Sequence, residues 1–176
     1  MSRAVLLAFA MVAAMIVVGA VLTADDEATP AERQLGAAIA SDLLDEEPGR
    51  PPTPYEPTAA GCIGAQVVAR VGIDRLTEIG LTPEAISRIG FRPHELSLTP
   101  DERISVVDAM EACVDLLEVA VLSLSPTGGQ AARACVRGAL GPDGARSLWE
   151  WRVGPIEVAQ PDGLPAKLEL VDDCLG

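Results

Sequence analysis

The sequence predicts an all-α protein: a small disulfide-stapled helical domain of two related units, preceded by an N-terminal hydrophobic helix and a Pro-rich linker. Three observations predict it. Helix starts of one design recur as Thr29-Pro30-Ala31-Glu32, Thr82-Pro83-Glu84-Ala85 and Thr99-Pro100-Asp101-Glu102. In each, a threonine hydroxyl can cap a free N–H, proline suits the first turn, and a carboxylate sits at the positive end of the helix dipole. Between such starts the apolar residues recur at spacings of three and four, the period of a helix face. Four cysteines lie in a chain whose only aromatics are Phe9, Tyr55, Phe91, Trp149 and Trp151. A core of Ala, Val, Leu and Ile suits close-packed small helices and gains from covalent staples.

Residues 1–24 begin with Arg3 and continue from Ala4 to Leu22 without a charge. As a helix this run would extend roughly 28 Å, about the thickness of the hydrocarbon layer. Arg3 precedes it and Asp25-Asp26-Glu27 follow, so the N-terminus is expected in the cytoplasm and the body across the membrane. Two readings are open: an uncleaved single-pass membrane anchor, or a signal peptide cut near Ala20 or Ala24. Both make the body extracytoplasmic, anchored or secreted.

Residues 25–47 carry a short helix, about Pro30–Leu44, with a thin apolar stripe of Leu35, Ala38, Ile39 and Leu43. Residues 48–57 are a Pro-rich linker in which Pro48, Pro51, Pro52, Pro54 and Pro57 favour an extended spacer. The folded body is expected over 58–176, as units 58–125 and 126–176. The first unit opens with a helix from Thr58 bearing Cys62, then the short helix IDRLTEI between Gly72 and Gly80, then one from Pro83 to near Gly90, then a connector, Phe91–Ser97. It closes with the strongest helix of the chain, Thr99–Leu124. Val107, Met110, Val114, Leu117, Val121 and Leu124 form its apolar seam, while Asp101, Asp108, Glu111, Asp115 and Glu118 form an acidic stripe that reads as a solvated face or as a surface for a cation or basic partner. The second unit follows the SPTGG break. It has a helix over Gln130–Leu140 with Cys135, a GPDG turn over Gly141–Gly144, a short helix over Ala145–Trp151, an irregular stretch with a strand-like IEVAQ, and a last helix over Leu164–Leu175 with Cys174.

Four cysteines allow three pairings. An internal repeat selects one. Val107–Val114 and Leu168–Leu175 both read apolar, acid, apolar, apolar, acid, any, Cys, apolar. Cys62-Ile63 and Cys135-Val136 each open a helix, with Arg75-Leu76 and Ser147-Leu148 at nearly equal distances downstream. The expected staples are therefore Cys62–Cys113 and Cys135–Cys174, one per unit.

The combination of a Cys-Ile/Val helix, an RLTEIG segment, an LTPDE start and an EACVDL ending resembles short cysteine-paired helical repeats in uncharacterised exported or membrane-anchored actinobacterial proteins. The resemblance covers about Gly61–Gly176. It implies paired cysteines and an extracytoplasmic location, and no activity. The second unit departs from the pattern, with GLPAK in place of a capping box before its closing helix.

Charge and motif content exclude several functions. The net charge of −13 becomes −14 without residues 1–24, whose only charge is Arg3. Such a chain lacks the Lys/Arg surface that nucleic acid requires. No cysteine lies in C-x-x-C, and His94 is the only histidine, so neither metal nor cofactor is expected. There is no G-x-S-x-G, H-E-x-x-H, phosphate loop or EF-hand pattern, and no catalytic residue is assigned. Trp149 and Trp151, two residues apart, should face different sides of a helix; one anchors the second unit's core, and Trp151 is the candidate partner contact. The expectation is a non-catalytic cell-envelope interaction or structural module with an unidentified protein or envelope partner, held at the membrane through residues 4–22. The alternative is a carrier of an apolar ligand or lipid between the helices. A carboxylate-dependent hydrolase ranks below both.

Overall fold

Capping chemistry sets the first element of the computed structural model, which describes residues 28–45, 53–155 and 158–176. Thr29 Oγ1 accepts the Glu32 N–H, and the Glu32 carboxylate accepts the Thr29 N–H, starting α1 (Pro30–Leu43). The apolar run 4–22, the first half of the Pro-rich linker and the start of IEVAQ fall outside the described residues. Thr53–Glu56 are non-helical, and Pro57 is the first residue of α2 (Pro57–Val71) rather than the end of the linker. Proline at this position loses no hydrogen bond, since the first N–H groups of a helix are free in any case. Then come α3 (Ile73–Glu78), α4 (Pro83–Ile89), a 3₁₀ turn at Pro93–Glu95, α5 (Pro100–Glu111), α6 (Leu116–Leu124), α7 (Gln130–Val153) and α8 (Leu164–Leu175). All regular structure among the described residues is helical.

The expected single helix Thr99–Leu124 is two helices. Thr99 and Glu102 form the capping box of α5 as read. The chain then turns at Ala112–Asp115. Asp115 leaves helical geometry (φ −74°, ψ 106°), and its carboxylate accepts the N–H groups of Leu117 and Glu118. The physical reason is competition: an aspartate side chain offers the backbone a partner other than the preceding carbonyl. The apolar seam is thereby divided, with Val107 and Met110 in one core and Val121 in another.

α7 corrects a second boundary. Its two segments meet at Gly141 (φ +62°), and the helix resumes at once with Pro142 as its first residue. Asp143 and Gly144 are helical, so the expected four-residue turn contracts to a kink. Only glycine adopts this φ without strain, and proline ends the preceding segment because it lacks an N–H.

Two cores result. The first gathers Leu35 and Ile39 of α1, Ile63, Val67 and Val68 of α2, Leu76, Leu81, Ile86 and Leu98, and Val106, Val107, Ala109 and Met110 of α5. The second gathers Ala120 and Val121 of α6, Val136, Leu140, Ala145 and Leu148 of α7, and Leu164 and Val171 of α8. α7 spans both, since Val153 is buried in the first core. Leu116, at the start of α6, also belongs to the first core, so the chain passes between cores at the α5–α6 turn and again along α7.

Candidate functional site

The cysteines are joined as the repeat implies, Cys62 to Cys113 and Cys135 to Cys174, each with Cα atoms 5.7 Å apart. Cys62 and Cys135 each occupy the sixth residue of their helix, α2 and α7. Their partners differ in setting, with Cys113 in the α5–α6 turn and Cys174 within the last turn of α8. Two disulfides point to an oxidising, extracytoplasmic environment.

The acidic stripe is part-exposed, and three of its acids, Asp108, Glu111 and Glu118, pair with arginines of α7, while Asp101 and Asp115 are exposed. Arg146 of α7 reaches Asp108 and Glu111 of α5 and also Glu150 on its own helix at 2.9 Å, while Arg137 pairs with Glu118 of α6. Hydrogen bonds to Asp108 and then to Glu150 raise the Arg146 pKa further above its ordinary value, against partial burial. These pairs are part-exposed and each adds little stability. Their effect is on orientation: they set α7 across the α5–α6 turn. The sequence shows the acids plainly but contains no local sign that residues 19 to 38 positions later would face them.

A second polar cluster ties the start of α5 to α3. Arg75 Nε donates to Glu102 Oε1 at 2.7 Å, and its Nη2 donates to the Ser97 carbonyl at 3.0 Å. The Arg75 hydrogen bond, followed by the Thr99 N–H, lowers the Glu102 pKa from 4.5 to about 2. A carboxylate with a depressed folded-state pKa contributes stability above its unfolded value and loses it as pH falls through the folded one. Thermal stability should therefore decline between pH 4.5 and about 2. Glu102→Gln should flatten that decline in melts recorded across the same range.

Trp149 and Trp151 face different sides of α7, and the one that reaches the second core is Trp151, the candidate partner contact. Trp149 packs on the first, donates from Nε1 to the Leu116 carbonyl at 3.2 Å and carries the Arg152 guanidinium 5.4 Å from its ring centre. Burial lowers the Arg152 pKa and raises that of nearby Tyr55 to about 12. Trp151 packs on the edge of the second core, stays half-buried and donates to the Val158 carbonyl at 3.2 Å. His94 lies in the 3₁₀ turn, 3.7 Å from Glu95 and part-exposed. Among the described residues, no group of three or more His, Cys, Asp or Glu side chains is placed to hold a metal ion, and no helix is long and apolar enough to cross a membrane.

Two surface concavities complete the candidate site. One, of about 450 Å³, lies between the end of α1 and the α4 region, with Asp42 and Asp45 on one wall and Arg88 and Arg92 on the other. Asp42 accepts the Phe91 N–H at 2.8 Å, closing the α4 terminus against α1. Ile89, 55% exposed, stands at its rim. The second, of about 560 Å³, is a groove beside the α1–α2 crossing, lined by Gly36, Ala37, Gly61, Ala65, Val68 and Ala69 among others. Neither was legible in sequence, because each depends on α1 docking against the body. Comparison with models of protein families, with curated proteins and with solved structures finds no match.

Proposed function

We propose that this chain is a non-catalytic interaction or structural module of the cell envelope, displayed on the extracytoplasmic side. The observation that supports this most is the cleft between α1 and α4. It is half-open to solvent, has carboxylates facing guanidiniums, and bears an exposed isoleucine at its rim. A concavity open to solvent, polar in lining and next to an exposed isoleucine, suits contact with a protein surface, where polar groups surround an apolar anchor, better than it suits a closed reaction chamber. Residues 4–22 would serve as a single-pass anchor, or would be removed as a signal peptide. The resemblance to exported and membrane-anchored actinobacterial repeats points to the same location.

The carrier reading keeps one observation in its favour, the small-residue groove along α1 and α2. Both tightly packed cores weigh against ligand uptake between the helices. Proximity labelling from intact cells, combined with mass spectrometry of lipid extracted from the purified protein, tests the two together. The module reading expects a reproducible protein partner whose capture weakens in Ile89→Asp. Stoichiometric bound lipid with no such partner would overturn it in favour of the carrier.

A further inference from the structure

The two staples differ in accessibility. Cys62 and Cys113 are both half-buried, and Cys113 packs on the larger core. Cys135 is exposed on the surface of α7. The helix that its disulfide secures packs along α7, but its C-terminal turn contributes little to the core. α8 buries only Leu164 and Val171 fully, adds Leu168 and Cys174 at the edge, and leaves Leu170 and Leu175 54% and 45% exposed. Lys167 Nζ donates to the Leu140 carbonyl at 2.7 Å near the start of α8. Beyond Val171, the last turn is held to α7 by the disulfide.

We infer that Cys135–Cys174 is a thiol–disulfide exchange site for an external dithiol, and that its opening releases α8 while the Cys62–Cys113 unit stays closed. A thiolate of the dithiol attacks Cys135 Sγ. An S–S bond forms to Cys135, the Cys135–Cys174 bond breaks, and Cys174 leaves as a thiolate that takes a proton. The dithiol's second thiol, losing its proton, then attacks its own sulfur in the mixed disulfide. Cys135 departs as a thiolate and is protonated, leaving the dithiol oxidised to a disulfide and the protein reduced by two electrons and two protons. Exposure selects Cys135 as the attacked sulfur. Asp172 and Asp173, both exposed beside Cys174, repel an anionic nucleophile from the other side. Release of α8 uncovers the part of the second core formed by Val136, Leu140 and Leu148.

The purified chain is treated with limiting dithiothreitol, quenched by alkylation and mapped by peptide mass spectrometry. Labelling of Cys135 and Cys174 should be about tenfold faster than that of Cys62 and Cys113, in line with the dependence of exchange on access. Equal rates, or faster labelling of Cys62 and Cys113, would overturn the site. A monothiol probe should form its mixed disulfide on Cys135, and a mixed disulfide mainly on Cys174 would overturn the direction of attack. Hydrogen exchange on the Cys135→Ala/Cys174→Ala variant should show lost protection over 164–175 and unchanged protection over 57–71. Full protection of 164–175 would overturn the release of α8. None of these outcomes depends on the envelope-module reading, so the two proposals fail independently.

Discussion

Gly64→Ala should cost about 3 kcal/mol of folding stability, toward the upper end of what overpacking does in a well-packed interior. A methyl group at Gly64 would stand 2.1 Å from the Gly36 carbonyl oxygen and 3.3 Å from the Ala40 nitrogen. Both obstacles are the backbone of α1, so no side-chain rotation relieves the clash and the two helices must separate. Separation withdraws Leu35 and Ile39, 2% and 0% exposed, from the first core. It also pulls Asp42 from the Phe91 N–H and opens the α1–α4 cleft. Gly61→Ala is the matched control, since a methyl there meets nothing within 4 Å. It should stabilise by roughly 0.5–1 kcal/mol, the ordinary gain of alanine over glycine inside a helix. Urea denaturation of both variants measures the difference. Equal midpoints would mean that α1 is not docked in solution as described.

This close crossing marks the limit of what the sequence makes legible. The α1 start is plain from Thr29 and Glu32, and its thin stripe of Leu35 and Ile39 is visible. Nothing local says which surface that stripe covers, because the decisive fit is between two glycine backbones 28 residues apart. The helix starts at Thr29, Thr82 and Thr99 were readable because capping depends on residues within one turn. The break at Asp115 was readable in principle by the same rule. Asp115 precedes Glu118 by three, as Thr99 precedes Glu102. The unbroken apolar spacing across Val114 and Leu117 hid it, since the spacing continues through the turn although Val114 packs on the first core and Leu117 on the second. The disulfide pairing was legible because the repeat carries non-local information within the sequence. The ion pairs of Arg137 and Arg146 were not, because they depend on the path of α7 across the α5–α6 turn, and the two surface concavities were not, because they depend on α1 docking against the body.

Removing the first staple, as Cys62→Ala/Cys113→Ala, should cost about 4 kcal/mol in the chain-entropy account, for a closed loop spanning a separation of 51 residues. A protein of this size commonly has only about 5–15 kcal/mol in hand. The expected fall in melting temperature is therefore about 8–16 °C, measured by calorimetry at a pH well above the Glu102 transition. The second staple closes a span of 39 residues and should carry nearly the same entropic weight. Its loss is expected to differ in kind, loosening α8 before the whole fold. The combination of Gly64→Ala with Cys62→Ala/Cys113→Ala separates mechanisms. The glycine change acts on the native crossing of α1 and α2, whereas the entropic effect of the disulfide acts on the unfolded chain. Cys62 and Gly64, two residues apart on α2, point to different sides of the helix and share no clash. If the disulfide acts on the unfolded chain alone, the two costs should add to within about 0.5 kcal/mol even though the sites are neighbours, for which coupling is the rule when both changes act on the folded state. Marked non-additivity would show that Cys62–Cys113 works chiefly by holding α2 against the α5–α6 turn in the folded state, with chain entropy a minor part of its effect.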